Sequence, residues 1–346
     1  MSETALYRKY RPKNFKEVIG QEHIVNALEG ALKLGNIAHA YLFSGSRGTG
    51  KTSVARIFAK ALGVTENDIY EIDGASNRGI NEIRALRDAV STLPLESPYK
   101  IYIIDEAHML TKEAFNALLK TLEEPPKHVI FIMATTEADK FPETIISRCQ
   151  SFSFKKPTRE ILKKIISQIA KKEGFEIEES ASELIALLGD GSFRDAQGIL
   201  QKAISVSGGK KITVGQIETV SGAPKGELVN SLLKAIDEKS LEKALEIVRK
   251  VSEQNTDGKI FMELFLAKFR FALLLRASPK YAELIRAESG EETFALLKSF
   301  ADKKDTLINS KTLLTLLEAS SKIKASFIPE LPLELALMDI LGQNVG

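Results

Sequence analysis

The chain has 346 residues, 44% of them hydrophobic and 27% charged, the make-up of a globular protein long enough for two or three domains with cores that need no staples. Its 48 basic and 46 acidic side chains leave a net charge of only +2, so bulk charge announces no nucleic-acid partner and any basic surface must be local. The single cysteine, Cys149, excludes an internal disulfide framework and a Cys-rich metal site, and the four histidines (His23, His39, His108, His128) show no metal-ligand spacing.

Residues Met1 to Phe15 are polar and basic, without the apolar core of a signal peptide, and no apolar run reaches transmembrane length. A cytoplasmic protein without membrane contact is expected. In chain order, the first predicted strand is Ala40 to Ser44, followed by a helix from Lys51 to Leu62. Asp68 to Ile72 reads as a second strand, Asn81 to Val90 as a helix, and Lys100 to Ile104 as a third strand. From Lys112 to Glu124, Ala114, Phe115, Leu118, Leu119 and Leu122 fall on one helical stripe, with Thr111 as cap and Pro125-Pro126 as stop. Val129 to Ala134 and Ser151 to Phe154 complete the strands. Strands apolar on both faces and separated by helices imply a parallel sheet covered on both sides.

After Pro157 the pattern is helical: Thr158 to Glu173, Ser180 to Leu188, Ser192 to Ser205, a short helix near Val214, then a long helical region from about Gly226. Turns are marked there by Asp257-Gly258, Ser278-Pro279 and Ser289-Gly290. The expected architecture is an α/β P-loop domain (1–156), a small helical lid (157–222) and an all-helical C-terminal domain (223–346).

The run Gly45-Ser46-Arg47-Gly48-Thr49-Gly50-Lys51-Thr52 follows a strand and opens a helix, the context a P-loop requires. Its glycines let backbone N–H groups curl around phosphate oxygens at a helix N-terminus. Lys51 is expected to reach the β- and γ-phosphates and Thr52 to bind Mg²⁺. The third strand ends in Asp105-Glu106, placed for the Mg²⁺ shell and for activating water; alone, such a pair would be a strand entering solvent. Thr136 is a candidate for the γ-phosphate or the water, or else caps the chain after a strand. Arg148 sits where a helix C-terminus favours a cation anyway, whereas Arg194 follows Ser192, a helix cap, and meets the positive end of a helix dipole. An anion such as a nucleotide phosphate would offset that cost.

Further elements occur in order along the chain. They are Tyr10-Arg11-Pro12, Val18-Ile19-Gly20-Gln21, Asp105-Glu106-Ala107-His108, the segment Leu118 to Pro126, Ala134-Thr135-Thr136 and Ser147-Arg148-Cys149-Gln150. With the P-loop they resemble the tau/gamma family of bacterial DNA polymerase III clamp-loader subunits, which are AAA+ ATPases. The match runs from Tyr7 to Arg194 and more weakly to the segment from Ile328 to Leu337. The resemblance implies an ATP-driven motor that opens a sliding clamp and places it on primed DNA. Its partners would be delta- and delta-prime-like subunits in a five-membered assembly whose helical C-terminal domains form a collar. It places Arg11, Pro12, Val18 and Ile19 around the adenine. Thr136 and Arg194 become nucleotide sensors, and Arg148 becomes an arginine finger acting on a neighbouring subunit's ATP. DNA would be held by its phosphates, with Arg78 and Lys112 as candidates, since a loader must accept any sequence.

The family's four-cysteine zinc module is absent: only Gly63 to Asp68 separates the P-loop helix from the second strand, so no zinc is expected. The chain ends at Gly346, as a short form or a piece of a longer protein would. Two alternatives stay open. One is an ATP-binding scaffold subunit, against which the joint presence of Lys51, Thr52, Asp105 and Glu106 argues. The other is a different AAA+ DNA motor, which would bring a winged-helix ending.

Overall fold

The computed structural model describes residues 4–77, 86, 88–254 and 256–342. They divide into two compact units, Met1–Ile165 with Gly189–Gly198, and Ile166–Leu188 with Ile199–Gly346. The helix expected over 81–90 lies mostly outside the described residues, as does Arg78; Leu86 and residues 88–90 are helical.

The first unit opens with α1 (Leu6–Lys9) and α2 (Glu22–Leu34), then β1 (Ala40–Ser44), α3 (Lys51–Ala61), β2 (Ile69–Asp73) and β3 (Lys100–Asp105). It continues with α4 (Lys112–Glu123), β4 (Val129–Thr135), α5 (Glu143–Ile146) and β5 (Gln150–Ser153). All five strands are parallel, in the order β2-β3-β4-β1-β5. Every residue of β4 and the first five of β3 are buried. Because successive side chains alternate faces, Tyr102, Ile104, Phe131 and Met133 join one core while Ile101, Ile103, Ile130 and Ile132 join another. The first core takes the α4 stripe, Ala114, Phe115, Leu118 and Leu122; the second takes Val54, Ile57 and Phe58 of α3 and Ile24 and Leu28 of α2. Each such fully buried side chain contributes about 1.5–3 kcal/mol, which makes this sheet a rigid platform for its edges. Thr111 Oγ1 accepts the Ala114 amide at 3.2 Å, so α4 carries the expected cap.

Next come α6 (Arg159–Lys172), β6 (Glu176–Ile177), α7 (Glu179–Leu188), α8 (Phe193–Val206), β7 (Lys211–Ile212) and α9 (Val214–Ser221). Helices α6 and α8 continue from the first unit into the second, so residues 157–222 are divided between the two. In the second unit β6 and β7 form a two-residue parallel pair, Glu176 opposite Lys211 and Ile177 opposite Ile212. The remaining helices are α10 (Gly226–Asp237), α11 (Leu241–Glu253), α12 (Gly258–Ala277), α13 (Ala282–Ser289), α14 (Glu291–Ala301), α15 (Ser310–Lys322) and α16 (Leu331–Leu341). Their core centres on α12, where the i, i+4 spacing brings Phe261, Phe265 and Phe269 together with centroids 6.2 and 6.0 Å apart. Asp257 caps α12 by accepting the Lys259 and Ile260 amides at 2.8 and 3.3 Å. No helix among the described residues is long and apolar enough to cross a membrane.

Candidate nucleotide site

The chain leaves β1 at Ser44 and re-enters helix at Lys51, with the Gly45 amide donated to the Thr135 carbonyl at 3.1 Å. At two glycines of this loop a side chain would collide with its neighbours. At Gly45 (φ +142°) a Cβ would lie 2.6 Å from the Phe154 carbonyl oxygen, and at Gly48 (φ +70°) 2.0 Å from Ser192 Oγ. Thr49 Oγ1 donates to the Ser46 carbonyl at 2.8 Å and pins the turn. No side chain caps α3, so its first-turn amides keep their donors for a ligand. Lys51, only 6% exposed, donates to the Gly45 and Ser46 carbonyls at 2.7 and 2.9 Å.

Thr52, on the helix after β1, donates its hydroxyl to Asp105 Oδ2 at 2.8 Å, reaching β3 past the intervening β4. Asp105 Oδ1 accepts the Glu106 amide at 3.0 Å. Glu106 is left-handed (φ 46°, ψ 40°), a conformation costing a non-glycine residue roughly 1–2 kcal/mol. Gly74 allows that bend, because a Cβ there would meet the Glu106 carbonyl oxygen at 2.8 Å. Thr136 Oγ1 donates to Glu106 Oε2 at 3.3 Å. Lys51, Thr52, Asp105, Glu106 and Thr136 thus belong to one sheet edge.

Cations gather at the same edge. Arg11 Nε donates to Ser53 Oγ at 2.9 Å. Burial, then Arg56, lowers the affinity of the Arg11 guanidinium for its proton; Glu71 opposes this, Arg194 adds to it, and Asp105 opposes it. For Lys51, burial again lowers it most, Glu106 and Asp105 oppose, and Arg194 lowers it further. Arg194 therefore sits near enough to both to disfavour their charge. Its guanidinium lies 5.6 Å from the Tyr7 ring centroid. The start of α8 that carries it is tied to the loop: Phe193 N donates to the Gly48 carbonyl at 3.0 Å, and Ser192 Oγ accepts the Asp195 amide at 3.2 Å. Arg47 of the loop also grips both carboxylate oxygens of Asp195 at 2.9 Å. Pro12, Val18 and Ile19 are half-buried, Val18 packing on the core that holds Phe15 and Val54.

Arg148 stands apart. Its Nη1 donates to the Thr144 carbonyl and its Nη2 to Glu123 Oε1, both at 2.7 Å, which ties it to α4 and α5 instead of the loop. Lys112 is exposed at the start of α4. Several participants escaped the sequence-based expectations: Ser53, the Arg47–Asp195 pair, and His108 with Thr135 and Glu137. Gln21 is another, 1% exposed, whose amide exchanges hydrogen bonds with the Lys155 backbone at 2.7 and 3.1 Å. A buried glutamine inside a motif was the one signal available for it.

A glycine cradle with uncapped helix amides, three clustered cations, and a hydroxyl bonded to a carboxylate form a donor set that fits a nucleotide polyphosphate with Mg²⁺. Among the described residues no three His, Cys, Asp or Glu side chains gather as a metal ligand set.

Comparison with known proteins bears on the same residues. Residues 20–79 and 64–158 match the family described as DNA polymerase III, delta subunit, and 161–209 that described as DNA polymerase III clamp loader subunit, ATPase lid domain. The chain is 44% identical over 315 residues to the DNA polymerase III subunit tau of Bacillus subtilis, covering 85% of this chain and 56% of that one. It is 36% identical over 302 residues to the DNA polymerase III subunit gamma of Buchnera aphidicola, covering 81% and 82%. It therefore spans about half the length of the tau relative and most of the gamma relative. Among solved structures, a point mutant of Thermotoga maritima RuvB is similar with a TM-score of 0.52 and 26% identity, over 65% of this chain and 79% of that one.

Proposed function

Since the chain belongs to the DNA polymerase III gamma/tau family, with an AAA+ fold, we propose that it is an ATP-hydrolysing motor subunit of a clamp loader, opening the sliding clamp and loading it on primed DNA. The observation that carries this reading is the convergence of Lys51, Thr52, Asp105 and Glu106 on one sheet edge beside Arg11 and Arg194, with Arg194 disfavouring the charges of Lys51 and Arg11. Such cations are poised for an anion, and a polyphosphate supplies several charges at once. A scaffold subunit would have no use for Glu106 in a left-handed turn beside Thr136.

In this reading Lys51 and the amides of Gly45, Ser46, Gly48, Thr49 and Gly50 hold the phosphates. Thr52 and Asp105 hold Mg²⁺, which when bound would neutralise charge on the transferred phosphoryl group. Glu106 orients the attacking water and takes its proton. Thr136 and Arg194 sense the nucleotide, and Arg11, Pro12, Val18 and Ile19 line the adenine. The site needs ATP and Mg²⁺ and no zinc.

Arg148 is held by Glu123 and Thr144 with its side chain 34% exposed, which suits a finger presented to a neighbour's ATP. Supplied in trans, it makes hydrolysis depend on assembly. Solvent-facing apolar side chains on α15 and α16 (Leu314, Leu317, Leu335, Met338) support an assembling C-terminal domain of residues 223–346, after a P-loop domain (1–156) and a lid (157–222). The partners are the clamp, DNA phosphates, and delta- and delta-prime-like subunits in a five-membered cytoplasmic complex.

The test is steady-state ATP hydrolysis by the chain mixed with loader partners, clamp and primed DNA. Clamp and DNA should raise turnover. Glu106→Gln should abolish turnover with nucleotide still bound, and Arg148→Ala should do the same only through the neighbouring site. Turnover indifferent to clamp, DNA and both substitutions would overturn the assignment.

A further inference from the structure

We propose that His108 and Glu137 form a positioning dyad that holds the Glu106 carboxylate in its working orientation, an inference that rests on Glu106 being the water-activating base. His108 lies on the short turn after β3 and its side chain is only 6% exposed. Its Nδ1 faces Thr135 Oγ1 at 3.1 Å and Glu106 Oε2 at 3.5 Å, and its Nε2 faces Glu137 Oε1 at 3.2 Å.

The hydrogen-bond pattern closes around the ring. Thr135 Oγ1 already accepts the Glu137 amide at 2.9 Å, so its own hydrogen is available to Nδ1. The ring proton then sits on Nε2 and is donated to Glu137. Glu137 is itself held through its other oxygen by Lys140 at 2.8 Å. A carboxylate that fixes the tautomer and tilt of an imidazole is the arrangement by which enzymes orient a working histidine. Here the oriented ring forms a wall beside the carboxylate that matters.

Among the described residues, Glu106 Oε2 accepts a hydrogen bond from Thr136, and the unprotonated Nδ1 of His108 stands 3.5 Å from the same oxygen as a wall that donates nothing to it. That leaves Oε1 to face the water. The dyad is also attached to the sensor segment, because Thr135 and Glu137, the two residues flanking Thr136, both contact His108. A shift of Thr136 on meeting a phosphate therefore reaches Glu106 directly and through the ring. Lys51 and the hydroxyl of Thr52 take no part in this set of contacts.

The experiment compares steady-state ATP hydrolysis and binding of a fluorescent ATP analogue for the assembled chain carrying His108→Ala, Glu137→Gln or both. Each single substitution should lower kcat about tenfold while KM and nucleotide affinity stay within about twofold. The double variant should be no slower than the slower single one, since the two act as a unit. Native kcat in both singles, a raised KM with native kcat, or losses that multiply in the double variant would each overturn the dyad. Glu137 is half-exposed, so Glu137→Gln carries the test alone if His108→Ala does not fold. Glu106→Gln run beside them separates the two ideas. If it keeps turnover, the base assignment fails; if it abolishes turnover while the dyad variants are native, only the dyad fails.

Discussion

Each end of the sheet carries a buried lysine and an aspartate, and their surroundings differ. Where the strands begin, Lys100 (4% exposed) donates to the Ala89 carbonyl at 2.9 Å and to Thr92 Oγ1 at 2.7 Å, and sits 5.0 Å from the Tyr70 ring centroid. Asp68, with no exposed surface, accepts the amides of Leu95, Glu96 and Ser97 at 2.6, 3.1 and 3.0 Å. Where the strands end, Lys51 donates to loop carbonyls, Asp105 holds one hydroxyl and one amide, and the carboxylates of Asp105, Glu106 and Glu71 are shared between Lys51 and Arg11, with Arg194 beside both. A buried charge whose neighbours satisfy it fastens one segment to another. A buried lysine whose neighbouring carboxylates are shared with other cations suits an anion that comes from outside. The same residue types therefore fasten the chain at one edge and, under the proposed function, bind at the other.

The contrast is broken or sharpened most by Lys51→Ala. ATP affinity should fall by about 2–4 kcal/mol, roughly 30- to 1,000-fold, in a titration with a fluorescent analogue. Urea unfolding without nucleotide should change little, because the folded protein loses a charge that burial disfavours and that Glu106 and Asp105 only partly offset. Asp68→Ala should do the reverse. It strands three amides and should cost about 3 kcal/mol in urea unfolding, with ATP affinity unaltered. If Lys51→Ala destabilised the free protein as much as Asp68→Ala, the division between the edges would be wrong.

A third effect is on pH. Burial alone raises the Asp68 carboxyl, but the Leu95, Glu96 and Ser97 donors outweigh it and hold it below the ordinary 3.8. A depressed folded value gives stability that is full above 3.8 and lost as pH falls through the lower folded value. The stability gap between the native chain and Asp68→Asn should be constant above about pH 5 and should close in acid below 3.8, read from urea midpoints across that range. The smallest effect belongs to Arg47 and Asp195. Their pair is exposed on the Arg47 side, so a double-mutant cycle on ATP affinity should give about 0.5 kcal/mol and fade with added salt.

Much of the functional edge was legible before any fold was known. The P-loop announces itself by the spacing of its glycines, two of which leave no room for a Cβ beside Phe154 and Ser192, and Asp105-Glu106 stands at the end of an apolar run that reads as a buried strand. The α4 stripe and its Thr111 cap follow from a 3.6-residue period and a side-chain oxygen placed before it. Other features left little trace. Helix α2 was not anticipated, and the β6–β7 pair is two residues long, too short for any period to register. Asp257, marked as a turn, is the cap of the longest helix among the described residues, since aspartate serves both purposes equally well. Arg78 and most of the helix expected over 81–90 lie outside the described residues.

By itself the sequence determined the α/β class, the glycine loop between strand and helix, the paired carboxylates and the helical C-terminal half. These are local properties, set by backbone sterics, by side-chain period and by which residue can occupy a given φ. Tertiary structure alone decided that Thr52 meets Asp105 across an intervening strand, that Asp195 returns 148 positions later to Arg47, and that His108 stands between Glu106 and Glu137. Contacts of that kind depend on the order in which parallel strands are laid beside one another, and no short window of residues encodes that order.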